Sequence, residues 1–142
     1  MKTKVLIVDD EEEFLEALAE RLEARGISVA TATDSAKAIQ LIEQETFHAI
    51  FLDYAMPGIN GLETLKIMLQ KKSDLLIYLL TGRATLHTGV EAVKLGAQDV
   101  IEKPAELSEL IEIIKKYESE YTIALEKKLK DSISDILRTK GW

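Results

Sequence analysis

Apolar and polar positions alternate along this chain in two periods. Short, nearly unbroken apolar runs read as buried strands, and longer stretches with apolar residues three and four apart read as amphipathic helices. The two kinds alternate five times. The first run is Lys4 to Val8. A helix follows from about Glu11 to Arg25, with Phe14, Leu15, Leu18 and Leu22 on one face, and Gly26 suits the position just past its end. The second strand spans Ile27 to about Thr33. Its alternation of Ile27 and Val29 with Ser28 suggests a sheet edge. Asp34 or Ser35 caps the second helix, whose inner face is Ala38, Ile39, Leu41 and Ile42.

The third strand is Ala49 to Asp53, and Pro57 and Gly58 then force a turn. Asn60 caps a third helix carrying Leu62, Leu65, Ile67, Met68 and Leu69. The fourth strand, Leu75 to Leu80, is continuous and apolar, so it belongs inside the sheet, and it ends at Thr81-Gly82. The fourth helix, about Ala84 to Leu95, is the weakest: Gly89 interrupts it, β-branched residues are frequent, and Gly96 ends it. The fifth strand is short, Asp99 to Glu102, and a helix starts at about Glu106.

Strand and helix in strict alternation predict a parallel sheet with helices on both faces. Right-handed crossovers leave few topologies. The expected class is α/β, a flavodoxin-like doubly wound five-stranded parallel sheet of order 2-1-3-4-5 with an elongated C-terminal helix. That order sets strands one and three side by side at the switch point.

The last helix is expected to run on. Ile114, Tyr117, Tyr121, Leu125, Leu129, Ile133 and Ile136 recur at steps of three and four, with charges such as Glu126, Lys127 and Lys130 between them. Ile114, Leu125 and Ile136 are spaced by eleven, nearer a straight or right-handed packing than a heptad coil. A break near Asp131-Ser132 is one option. Such a stripe should pair with a second copy of itself or fold back on the domain, with pairing slightly favoured. The division is therefore residues 1–117 as the α/β domain and 118–142 as a helical extension of its last helix.

Composition narrows the function. The chain has 142 residues, 46% apolar and 30% charged, an ordinary globular mix. With no cysteine there is no disulfide, thiolate metal site or cysteine nucleophile, and two histidines, His48 and His87, do not make a zinc site. Neither histidine is given a chemical role. The net charge of −7 lacks the basic excess of a nonspecific nucleic-acid binder, and the extension is too short for a winged helix-turn-helix, so no DNA-binding output domain is expected in this chain. No stretch is long and apolar enough for a membrane span, and there is no secretory signal, which predicts a cytoplasmic protein without a membrane partner.

The acidity is uneven: Asp9 to Glu13 is an unbroken acidic run. Acidic residues favour a helix start, which accounts for Glu11 to Glu13. Two aspartates at a strand end, beside Asp53 at the end of the neighbouring strand, would repel one another and ask for a cation. Mg2+ prefers oxygen ligands. The expected direct ligands are Asp10 and Asp53, with the Ala55 carbonyl as third and Asp9 acting through water. Asp53 is read as accepting a phosphoryl group, a reaction that needs in-line positioning and neutralised oxygens. Lys103 can cover one oxygen, and the Thr81 hydroxyl and a backbone N–H near Gly82 another. Each residue has a plainer alternative: Asp53 as a loop cap, Lys103 as a surface lysine, Thr81 as a strand terminus. Pro104 can be cis or trans on sequence alone.

From Lys2 to roughly Tyr117 the chain resembles a response-regulator receiver domain. Carrying the resemblance are Val8-Asp9-Asp10, Asp53 with Met56-Pro57-Gly58 and Asn60-Gly61, Thr81-Gly82, and Glu102-Lys103-Pro104. It implies phosphorylation of Asp53 by a phosphohistidine of a sensor histidine kinase or phosphotransfer protein, loss of the phosphate to water, and no enzyme activity beyond this chemistry. It also implies a switch centred on Thr81 that reshapes the helix-four, strand-five, helix-five face. One residue departs: Val100 stands where receivers carry Tyr or Phe. A valine has no ring to swing, so helix four is expected to reorder instead.

Other readings are weaker. An aspartyl phosphatase would have a second aspartate at residue 55, which is Ala55. A nucleotide-binding flavodoxin-like domain would carry glycine or Ser/Thr after strand one, where this chain has Asp-Asp-Glu-Glu. The remaining alternative is a constitutive dimerisation module with a weakly coupled or vestigial phosphorylation site.

Overall fold

The computed structural model describes residues 2–82 and 86–139. Its elements are β1 (Lys4–Val8), α1 (Glu12–Glu23), β2 (Ser28–Ala32), α2 (Ser35–Gln44), β3 (Ala49–Asp53), α3 (Gly61–Lys71), β4 (Ile77–Thr81), α4 (Leu86–Lys94), β5 (Asp99–Glu102) and α5 (Leu107–Thr139). The five strands form one parallel sheet in the order β2-β1-β3-β4-β5. The expected topology is the observed one. β2 lies at an edge and β4 inside, as their apolar patterns indicated.

Strand alternation divides the core. Leu6 and Val8 of β1, Ile50 and Leu52 of β3, and Ile77 and Leu79 of β4 pack with α2, α3 and α4. Val5, Ile7, Ala49, Phe51, Leu80 and Ile101 pack with Leu15, Leu18 and Leu22 of α1 and Leu110 and Ile114 of α5. β1, β3 and β4 therefore feed two apolar layers at a period of two, which is why their sequences are nearly unbroken apolar runs rather than alternating ones.

Local signals account for the helix starts. Asp34, not Ser35, caps α2, accepting the Lys37 N–H at 2.8 Å, and Asn60 caps α3 through the Glu63 N–H at 3.0 Å. Ser35 instead meets the Thr64 hydroxyl, 2.7 Å away, inside the domain. The expected start of the fourth helix near Ala84 lies outside the described residues; α4 is described from Leu86. His48, which precedes β3, accepts the Lys4 N–H on Nδ1 at 2.9 Å and packs near the Tyr117 ring. Its role is structural.

α5 is one continuous helix of 33 residues. It neither breaks at Asp131-Ser132 nor folds back on the domain. Neither residue removes a backbone donor, so their helical cost is only a few tenths of a kcal/mol, about that of any weak helix former. Every residue from Ser119 to Thr139 is exposed. No helix among the described residues is long and apolar enough to cross a membrane.

Candidate functional site

Parallel strands end on the same edge, and strand alternation decides which side chains meet there. Asp9 follows Val5 and Ile7 at the period of two, Asp53 follows Ala49 and Phe51, and Lys103 follows Ile101. All three therefore emerge on the α1/α5 side. The Lys103 ammonium lies 2.8 Å from Asp9 Oδ2 and 3.1 Å from Asp53 Oδ1. Asp9 and Asp53 are buried, whereas Asp10 is exposed at the rim.

Each of the two buried carboxylates, Asp9 and Asp53, accepts a hydrogen bond from the adjoining backbone. Asp9 Oδ1 accepts the Glu11 N–H at 2.9 Å, which ties it to the start of α1, and its own N–H donates to the Ala32 carbonyl. Asp53 Oδ1 accepts a long bond from the Ala55 N–H, 3.4 Å. Burial pushes the Asp53 carboxyl above its ordinary value; the Lys103 hydrogen bond opposes this and the charge of Asp9 adds to it. Burial alone would lower the Lys103 ammonium, but its bonds to Asp9 and Asp53 outweigh that and raise it. Lys103 is thus a cation, shared between two buried anions.

One oxygen from each of Asp9, Asp10 and Asp53 can be chosen so that all lie within 4.8 Å of one another. Three carboxylates face one lysine there, which leaves the cluster with excess negative charge in a partly dry site. A hard dication with oxygen ligands fits this donor set. Thr81 is buried at the end of β4, one residue past Leu80, the partner of Asp53 in the sheet, and its carbonyl accepts the Lys103 N–H at 2.7 Å. The Lys103-Pro104 peptide is cis, and Pro104 is exposed. The structure thus gathers Asp9, Asp10, Asp53, Ala55, Thr81 and Lys103 on one edge. Val100 lies apart, on β5, lining a groove of about 410 Å³ with Gly89, Val90, Val93, Lys94 and Asp99.

The roles of two residues escaped the sequence reading, in which Gly61 stood only within the Asn60-Gly61 pair. Phe14 was read only as apolar helix face, yet its ring centroid is 5.8 Å from the Lys103 ammonium. Gly61 is required by close approach: a Cβ there would lie 2.6 Å from the Asp53 carbonyl oxygen and 2.6 Å from the Tyr54 Cα. The Gly61 N–H also donates to the Tyr54 carbonyl at 2.8 Å. The backbone just after Asp53 is therefore pinned to the start of α3, and the Asn-Gly pair was the only sequence signal of it.

A family model of the response regulator receiver domain matches residues 5–115. The chain belongs to this family. The receiver is 39% identical over 113 residues to a CpxR homologue, a transcriptional regulatory protein of Haemophilus influenzae, covering 80% of this chain and 49% of that protein. It thus spans about half the length of that relative. Among solved structures it resembles a Burkholderia pseudomallei response regulator with a phosphorylated aspartic acid and a calcium ion, at 32% identity and TM-score 0.74, covering 91% of this chain and 75% of that one. It also resembles the Thermotoga maritima response regulator TrrA in complex with Mg2+-BeF, at 32% identity and TM-score 0.72, covering 82% and 99%.

Proposed function

We propose that this receiver is the phosphoacceptor of a two-component phosphorelay. Asp53 takes a phosphoryl group from a phosphohistidine of a sensor histidine kinase or phosphotransfer protein, and the modification switches protein–protein contacts. The observation that carries the reading is the Lys103 ammonium held between Asp9 and Asp53, three residues from three strands at one point. The phosphorylated aspartic acid of the Burkholderia regulator supports it.

In the transfer, an Asp53 oxygen forms the new O–P bond as the donor's N–P bond breaks. The electron pair leaves with the imidazole nitrogen, which takes up a proton. Lys103 would then turn from Asp53 Oδ1 to a phosphoryl oxygen, as a flexible point charge can. The Thr81 hydroxyl and a backbone N–H near Gly82 would donate to another. Asp10, Asp53 and the Ala55 carbonyl would hold Mg2+ directly, with Asp9 through water. When bound, Mg2+ supplies neutralising charge to the phosphoryl oxygens. The product is a mixed anhydride, so water removes the phosphate. The protein carries out this chemistry on itself and is not an enzyme for separate substrates.

The reading places the protein in the cytoplasm, with a kinase as one partner. The exposed half of α5 supports a second copy of the chain as another. The test is incubation with Mg2+ and a small acyl-phosphate donor. One labile phosphate per chain is expected, abolished by Asp53→Asn. No phosphate would favour the alternative of an interaction module with a vestigial site, and multiple turnover on phosphate esters would favour a phosphatase.

A further inference from the structure

The C-terminal half of α5 is built like its N-terminal half but has nothing against it among the described residues. Leu110 and Ile114 are fully buried against the sheet, and Tyr117 and Glu118 are the last half-buried residues. The same helical face continues beyond them. Steps of three and four from Ile114 pass through Tyr117, Tyr121, Leu125, Leu129 and Ser132 to Ile136. Leu125 is 46% exposed, Leu129 57% and Ile136 58%. In proteins most helical stability comes from packing an amphipathic face, and this face is exposed.

We infer that this face is the seam of an antiparallel homodimer, in which residues 121–139 of a second copy lie along residues 121–139 of the first. The inference rests on the self-association reading above and adds its orientation and register. Orientation follows from where the receiver body sits. The body covers the seam side of α5 down to Glu118. In a parallel pair the two seams face each other, so both bodies would fall between helices only about 8–10 Å apart. There is no room for them. In an antiparallel pair the bodies lie at opposite ends, each beyond the other's helix.

Register follows from charge. Pairing Thr122 with Thr139 of the second copy sets Leu125 against Ile136 and Leu129 against Ser132. It brings Lys128 beside Asp135 of the second copy, and two-fold symmetry repeats the pair. Sliding the second copy one heptad toward the body opposes Lys128 to Lys128 and Glu126 to Glu126. Sliding it one heptad away opposes Asp135 to Asp135. The Thr122–Thr139 register is the one without like charges in contact, and it leaves Tyr117 and Glu118 to the body.

The chain has no native cysteine, so single cysteines report the geometry directly. Thr122→Cys and Thr139→Cys are both exposed helical positions. Under mild oxidation, a mixture of the two variants is expected to form a disulfide between unlike chains. Neither variant alone should cross-link, because like positions lie more than four helical turns, about 25 Å, apart. Self-disulfides by each variant alone would mean a parallel pair, which overturns the inference and leaves the homodimer standing. A dimer in sedimentation equilibrium with no disulfide in any sample would place the interface elsewhere and also overturns it. A monomer at all concentrations overturns both the inference and the self-association reading.

Discussion

Asp53 is a buried acid whose proton the fold holds more tightly than the unfolded chain does. Its carboxyl is raised first by burial and then by Asp9, with Lys103 only partly compensating. For a group raised in the folded state, the contribution to stability is full below the unfolded value, about pH 4, and is lost as pH rises through the folded value. At neutral pH without divalent cations, ionised Asp53 therefore costs stability. Asp53→Asn is expected to be more stable than the parent in urea at pH 7 in chelator, with the difference shrinking toward pH 4. A second residue tests the frame around it. Gly61→Ala forces a Cβ against the Asp53 carbonyl and the Tyr54 backbone and should cost about 1–3 kcal/mol, read from the urea midpoint. The charged residues of the site were legible because buried strands do not end in paired aspartates or a lysine without cause. Gly61 and Phe14 were not, because their roles depend on distances between segments: one lets two backbones touch, the other lays a ring beside a distant lysine.

At the scale of elements, the unbroken apolar runs gave away the strands, and side-chain caps at Asp34 and Asn60 gave away two helix starts. The C-terminal helix was harder. Its periodicity announced a helix, but Asp131-Ser132 looked like a place to stop, and weak local propensity does not break a helix that lacks Pro. α4 is the element on which the proposed switch would turn. Its described part, Leu86–Lys94, is nine residues long, contains Gly89, and leaves Val90 and Val93 exposed, both lining the groove with Val100. With no aromatic ring at residue 100 to change rotamer, α4 itself is expected to respond. Amide exchange over residues 86–94 should change when Mg2+ and beryllofluoride are added, while α1 and α2 stay as they were. Identical exchange in α4 would mean that the site is not coupled to this face.

For the whole molecule, topology does the gathering. Only with β1 and β3 adjacent, and β4 and β5 following in order, do Asp9, Asp53 and Lys103 fall within hydrogen-bond reach. The long helix would then carry a contact with a second copy away from that edge, so that the proposed phosphorylation and pairing would use separate surfaces. The most direct test of the account is chemical: phosphorylate the chain with a small acyl-phosphate donor and Mg2+, reduce the product with borohydride, and locate the modified residue by peptide mapping. The account predicts conversion of Asp53 alone, lost when Mg2+ is chelated. An acid-stable phosphate on serine or threonine, or conversion at Asp9 or Asp10 with Asp53 intact, would contradict it.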